Sequence, residues 1–406
     1  MRAERVHWGR VFVGTLLAAL LAVAPALASA VRVGPEIFST PGENPVNIGV
    51  GQPTFRFAFL PGDVDIANNA WSIFEIGKYL NEHLTEEVKE KLVQQIPSGG
   101  LDMRWHSWSS VGLGFAGFST DASIRTLGDG RLAKDLADLV LNGNDPNRHY
   151  TVDGTEVGAA AFGDVSVGFA FNIGPSFRVG GRYHRLMGIG YLEAEAEGSG
   201  ILHYTDEKTG FEGEMALDAR YIWGSGLHGD GTAFDLGVAW HPNENLALSF
   251  AVMDLGHITW HDVYSERYEG KLDADGGPAL ELVEKEVISG LKWTLPRRFE
   301  VSLGYRVSPT LHLGGSYTRT VHGTGEGFTY REPDRIEAAL HWSGLAFLPV
   351  GVGVSYVPGE AVSLTGEAGL RLGPVRTRLR LEKIEAVFGG QDDKAVGFTF
   401  DLGIVF

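Results

Sequence analysis

The sequence predicts an all-β fold: a transmembrane antiparallel β-barrel of about 14 strands with an N-terminal helical, plug-like segment. Three observations predict it. Large apolar residues recur at every second position in run after run. After Ala30 no stretch approaches the ~18 uninterrupted apolar residues of a membrane helix. The face interleaved with the apolar one is dominated by Gly, Ala and Ser, not by the Lys, Glu and Thr of a solvated sheet.

Residues 1–30 read as a signal peptide. Arg2, Arg5 and Arg10 precede an apolar run from Val11 to Ala24, and Ala28-Ser29-Ala30 is a small-x-small cleavage pattern. Residues 31–100 read as the plug, or as a segment on the periplasmic side. Within them Asp65 to Leu80 is expected to be helical, with Trp71, Phe74 and Tyr79 among its apolar residues. A second helix should start after Thr85, an N-cap followed by Glu86 and Glu87, and end at Pro97. The barrel is expected over 101–406.

The clearest strand is the last. Val396, Phe398, Phe400, Leu402, Ile404 and Phe406 share one face, opposite Gly397, Thr399, Asp401 and Gly403. Phe299 to Val307, Ile336 to Trp342, Val350 to Tyr356, Phe234 to Trp240, Leu246 to Val252 and Val165 to Phe171 repeat the pattern. Gly174-Pro175, Pro242-Asn243, Ser308-Pro309, Pro358-Gly359 and Gly373-Pro374 separate such runs as turns. Trp223, Trp240, Trp260, Trp342, Tyr356 and Phe406 fall near strand ends, where barrels carry aromatic girdles. Arg131 to Leu141 and Ala279 to Ser289 read as short helices. They sit in segments 120–150 and 265–297, which are too long for tight turns and read as loops.

Composition removes whole classes of function. The 406 residues include 56 Gly and no Cys, so disulfide frameworks, thiolate metal sites and Cys nucleophiles are excluded. A formal charge of −17 argues against nucleic-acid binding. No Gly-x-Ser-x-Gly elbow leads from a strand into a helix, and Gly224-Ser225-Gly226 reads as a turn, so no enzyme is expected. His257 and His261 follow a strand and lack the Glu of a metalloprotease helix, so no metal site is assigned. Gly323 to Gly327 lacks the Lys of a phosphate-binding loop.

Charged residues in the small-residue register are the candidate lumen groups. Arg376, Arg378 and Arg380 share one strand face, and Arg306, Arg178, Arg182 and Arg371 have the same parity in their strands. Arg facing lipid at mid-bilayer costs about 2–4 kcal/mol, so these side chains belong inside. They make either a basic track for an anionic head group or an ion-pair network with Glu300, Glu337, Glu367, Glu382 and Asp401. Trp71, Phe74 and Tyr79 are either pocket aromatics or the face of the plug that packs on the wall.

Together the leader, the helical segment, the strands and the terminal Phe resemble the FadL-type outer-membrane transporters and the PorV-like barrels related to them. The last strand resembles the C-terminal signal read by the barrel-assembly machinery, through Phe400, Leu402, Ile404 and Phe406. Asn44-Pro45-Val46 resembles, in altered form, the Asn-Pro-Ala found near the mature N-terminus of FadL-type proteins. The resemblance implies a fourteen-stranded barrel with an N-terminal plug that passes small hydrophobic molecules without a cofactor. Outer-membrane lipids and the assembly machinery are its implied partners. A general porin, or a PorV-like secretion or scaffold barrel without transport, are the alternatives.

Overall fold

A computed structural model describes residues 44–48, 56–72, 76–79, 83–115, 117–143, 145, 148–204, 209–222, 225–272, 278–322, 325–360, 362–384 and 394–405. The signal peptide, Phe74, Trp223 and Phe406 lie outside the described residues.

The strands in chain order are β1 (Arg56–Asn68), β2 (Leu101–Phe115), β3 (Phe118–Leu132), β4 (His149–Thr151), β5 (Thr155–Ile173) and β6 (Phe177–Tyr204). Next come β7 (Thr209–Tyr221), β8 (Gly229–Asn243), β9 (Leu246–Trp260), β10 (Val263–Leu272), β11 (Pro278–Ile288), β12 (Leu291–Thr294) and β13 (Arg297–Ser308). The remainder are β14 (Leu311–Val321), β15 (Arg335–Trp342), β16 (Val350–Tyr356), β17 (Ser363–Leu372), β18 (Val375–Glu382) and β19 (Ala395–Val405). Among the described residues two α-helices of a full turn or more interrupt them, α1 (Glu86–Gln95) and α2 (Lys134–Asn142).

Antiparallel pairing runs from β1 through β2, β3, β5, β6, β8 and β9 to β13, then strand by strand to β19. β19 then pairs with β1, from Arg56 opposite Val405 to Ala67 opposite Ala395, which closes a 14-strand barrel. Closure leaves no lipid-exposed edge with unpaired backbone groups.

Burial is inverted relative to a water-soluble sheet. Phe169 is 50% exposed and Leu236 57%, whereas Ser166 is 2% exposed and Asp235 1%. Apolar side chains point out toward lipid and polar ones point in, with the parity read from sequence. In β19, Phe398 and Phe400 are exposed while Thr399 and Asp401 are buried.

The two ends differ. Tight connections at 116–117, 174–176, 244–245, 309–310 and 373–374 lie at one end. Gly117 and Gly373 take φ of 84° and 58° there, and a Cβ on Gly117 would fall 2.5 Å from the Ala170 carbonyl oxygen. Connections 69–100, 133–154, 205–228, 261–296 and 322–334 leave from the other end. In outer-membrane barrels generally the short-turn end faces the periplasm and the long-loop end the exterior.

At the long-loop end β6 continues to 28 residues, far beyond the ~10 that cross a membrane. Its outer half pairs with β7, β7 pairs with β10, and β10 with β11, building an arm above the barrel. This corrects the reading of 265–297 as a loop and of Ala279 to Ser289 as a helix. Residues of β11 meet partners along β10, with Lys285 opposite Glu266 and Val287 opposite Tyr264, and that pairing overrides the helical marks of the local sequence. Segment 120–150 is also corrected. β3 fills its first part, with outward Thr120 and Ala122 too weakly apolar to mark the strand.

The first part of the helix expected over Asp65 to Leu80 is strand instead, while residues 76–77 are helical and residues 73–75 and 80 lie outside the described residues. β1 occupies this stretch through Asn68, because Asp65 and Ile66 alternate between lumen and lipid while the backbone pairs on both sides. Asn68 Oδ1 then accepts from the amides of Ala70 (2.9 Å) and Trp71 (2.6 Å), turning the chain out of the wall. α1 forms as expected behind Thr85, whose hydroxyl accepts from Val88 N. α2 starts three residues later than expected because β3 runs through Leu132. Ala70, Ile96, Leu101 and Ala137 join the two helices to the rim of the long-loop end, and Trp71 Nε1 donates to the Leu92 carbonyl at 2.9 Å.

Outside the lumen Trp105 lies across Gly128, where a Cβ would come within 2.0 Å of the ring. Gly128→Ala is expected to destabilise the folded barrel by about 1–3 kcal/mol through overpacking. Urea unfolding in lipid vesicles would measure it, and unchanged stability would show that the ring is not held there.

Candidate functional site: the barrel lumen

Inward-facing residues form three layers between the long-loop end and the short-turn end, with a chain segment inserted beside the lowest. The first layer is aromatic. Trp293 and Phe328 stack at 5.0 Å, and Tyr191 lies 5.4 Å from Trp260 and 5.9 Å from Phe328. Phe162, Leu186, Ile258, Leu291, Leu295 and Tyr330 complete this buried cluster. Phe328 and Tyr330 arrive on the connection between β14 and β15, which folds inward. Trp293 Nε1 donates to the Phe328 carbonyl at 3.0 Å, and Phe328 N donates to the Tyr191 hydroxyl at 3.2 Å. Glycine makes the room: a Cβ on Gly158 would lie 2.1 Å from Phe328, and one on Gly188 2.3 Å from Trp260.

The second layer is ionic and draws on β1, β3, β5, β6, β8, β9, β15, β18 and β19. Arg125 grips Asp254 with two hydrogen bonds of 2.7 and 3.2 Å and lies 3.7 Å from Asp164. His184 bridges Asp164 (3.0 Å) and Asp235 (2.9 Å) through its two ring nitrogens. Arg182 is 3.6 Å from Asp235. Asp254 reaches inward because a bulge gives it φ of 60°, and its amide donates to Asp235 at 2.8 Å. On the opposite wall Arg335 meets Glu382 (2.7 Å) and Asp65 (3.6 Å). Arg380 meets Glu337 (3.2 Å) and Glu382 (3.0 Å), and Arg378 meets Asp401 (2.6 Å). A cavity of about 80 Å³ remains between the walls, beside Trp108, Arg125, Tyr330 and Arg335.

Below the belt, on the β13–β18 side, lies a vestibule of about 710 Å³ among the short turns. On the β5–β8 side the lumen instead holds the turn Asn44–Ile48. A Cβ on Gly168 would lie 2.5 Å from Ile48, one on Gly180 2.4 Å from the Pro45 carbonyl oxygen, and one on Gly237 2.4 Å from Asn44 Oδ1. Arg178 fastens the turn, donating from Nε to the Val46 carbonyl (2.8 Å) and from Nη2 to the Ile48 carbonyl (2.5 Å).

The expected lumen residues thus divide. Arg182, Arg378 and Arg380 belong to the ion-pair belt, Arg178 holds the inserted turn, and Arg306 and Arg376 line the vestibule. Trp71 packs on α1 at the long-loop rim, and Tyr79 sits in a turn at 76–79; neither is brought to the lumen cavities. Phe400 is exposed on the outer face of β19, with Leu402 and Ile404 at the same parity. His257 lies in β9, and His261 Nε2 is 2.9 Å from Asp230 beyond the strand end. Sequence reasoning missed Asp164, His184, Asp254, Arg125 and Arg335 as belt members, and Phe328 with Tyr330 as mouth residues. Asp164 and Asp235 were signalled by standing in the small-residue register of strong alternating runs.

These features define a closed, 14-strand antiparallel β-barrel with an occupied lumen. Its fold is shared with a Pseudomonas aeruginosa FadL homologue: TM-score 0.51, 13% identity, 94% of this chain and 99% of that one covered. It is shared too with the TodX ΔS2S3 mutant, a monoaromatic hydrocarbon channel: TM-score 0.54, 9% identity, 94% and 98% covered. More particularly, the chain belongs to a family of unknown function, DUF5723, which matches residues 102–361. No curated protein matches it by sequence.

Two outcomes follow from these contacts. Asp401→Ala leaves Arg378 buried without this carboxylate and is expected to cost about 3–5 kcal/mol, read by urea unfolding. Because the chain has no native Cys, Val46→Cys introduces a single thiol. It should resist a water-soluble maleimide in the otherwise unchanged protein and react readily once Gly180→Leu displaces the turn. Equal labelling in both would place the turn outside the lumen.

Proposed function

We propose that this protein is exported by a cleaved signal peptide and acts in the outer membrane as a channel for passive uptake of small, mainly hydrophobic molecules. The aromatic cluster at the extracellular mouth is the observation that carries this reading. It offers an apolar molecule stacking surfaces in place of water, while an ion entering there loses hydration without a partner. The FadL homologue and the hydrocarbon channel that share the fold point the same way. Below the cluster the belt and the inserted turn oppose free passage of water and solutes, unlike the lumen of a general porin. The reading needs no bond-making step and no cofactor. Lipids cover the exposed apolar face, and the barrel-assembly machinery engages the terminal strand through Phe400, Leu402, Ile404 and Phe406.

A scaffold role is the second reading, favoured by the arm of β7, β10 and β11 above the membrane. Conductance in planar bilayers and uptake of a monoaromatic hydrocarbon into vesicles separate the readings. The protein should show little ion conductance yet speed hydrocarbon entry over protein-free vesicles. Trp293→Ala and deletion of residues 31–48, which spares β1, should each raise conductance. Large steady conductance in the unaltered protein would instead define a porin. Silence with no uptake would move the scaffold reading forward.

A further inference from the structure

The periplasmic vestibule has a charge pattern that the ionic belt does not. In the belt each arginine has a carboxylate within 4 Å. In the vestibule, Arg306 and Arg376 have no carboxylate within that distance among the described residues, and Arg376 Nε is buried without an acceptor. Strand register gathers the bases. Arg306 stands opposite His312, and His312 opposite His341, across β13, β14 and β15. Arg371 stands directly opposite Arg376 across β17 and β18, and both face inward.

Glu367 is the one acid among the described residues that line the vestibule, and it lies 3.9 Å from His341 Nδ1, over Gly351. Arg306 and Arg376 are half-buried, and a guanidinium presents a fork that matches a carboxylate or phosphate with two parallel hydrogen bonds. The space, about 710 Å³, holds a small organic anion.

We propose that the vestibule is an oxyanion-binding site, in which Arg306 and Arg376 hold a carboxylate or phosphate group at the periplasmic end of the barrel. The site does not depend on which molecule crosses the aromatic mouth. The same chemistry arrives in two ways, as a free periplasmic anion or as the head group of an amphiphile leaving the barrel.

Calorimetric titration of the refolded protein in non-ionic detergent, against a chloride background, tests it with inorganic phosphate, acetate and hexanoate. Saturable binding of phosphate or of a carboxylate is expected. Arg306→Gln and Arg376→Gln should each weaken it at least tenfold. Arg306→Lys, which keeps the charge and loses the fork, should weaken it less. Arg185→Gln removes an exposed pair with Asp230 on the outer surface and should leave binding unchanged. Heat-modifiable gel mobility establishes that each variant has folded. Hexanoate binding more tightly than acetate supports the site with an amphiphile head group as its occupant, and equal affinities support it with a free anion. Absence of saturable binding to the unaltered protein, or equal binding by both glutamine variants, overturns the proposal.

Discussion

A charged side chain in a membrane wall has one direction to point. Lipid outside penalises each arginine or aspartate that faces it by about 2–4 kcal/mol, so Asp164, Arg182, Asp235, Arg378, Arg380 and Asp401 turn inward. Inside, the cations and anions then have to neutralise one another, since unpaired buried charge is costly as well. The belt of Arg125, Asp254, Asp164, His184, Asp235 and Arg182 on one wall, and of Arg335, Glu382, Glu337 and Arg380 on the other, is the joint solution. It ties strands that are neighbours in the wall and, through Arg335 and Asp65, strands that are not paired to each other. The rest of the lumen is arranged around it, with the aromatic layer above and the vestibule and inserted turn below.

Glycine is the second half of that arrangement. A barrel of this size encloses little space once the belt is in place, so anything else inside needs wall positions without side chains. The same device serves two ends: Gly158 and Gly188 accept aromatic rings near the mouth, and Gly168, Gly180 and Gly237 accept the turn Asn44–Ile48 near the base, Gly180 against its backbone and the other two against side chains. The high glycine content thus reflects what the lumen contains as much as how its turns are made.

Much of the wall was legible because lipid enforces a strict period of two. The parity of β19, β13 and β15, and the inward direction of Arg378 and Arg380, follow from that period alone. β3 was hidden because Thr120, Ala122 and Thr126 stand at its outward positions, and β1 because a register shift between Phe59 and Gly62 interrupts its alternation. β11 was hidden because glutamates and aliphatics at its spacing suit a helix equally well, and only the long partner β10 decides. The belt resisted reading for a different reason. His184 and its two carboxylates sit on three strands, and nothing local to any of them records the meeting. The division between neutralised Arg378 and Arg380 and the differently placed Arg306 and Arg376 likewise depends on which acids lie across the barrel.

The seam between β1 and β19 also has a temporal meaning. The wall's first strand finds its second neighbour only in β19, so the cylinder cannot be completed until β19 has reached the membrane. Until then β1 presents one row of unsatisfied amides and carbonyls, a ready template for pairing with the wrong chain. Contacts of such sequence separation form slowly. Shielding of that early edge, rather than the strength of any contact in the finished barrel, is therefore expected to limit the yield of correctly inserted protein.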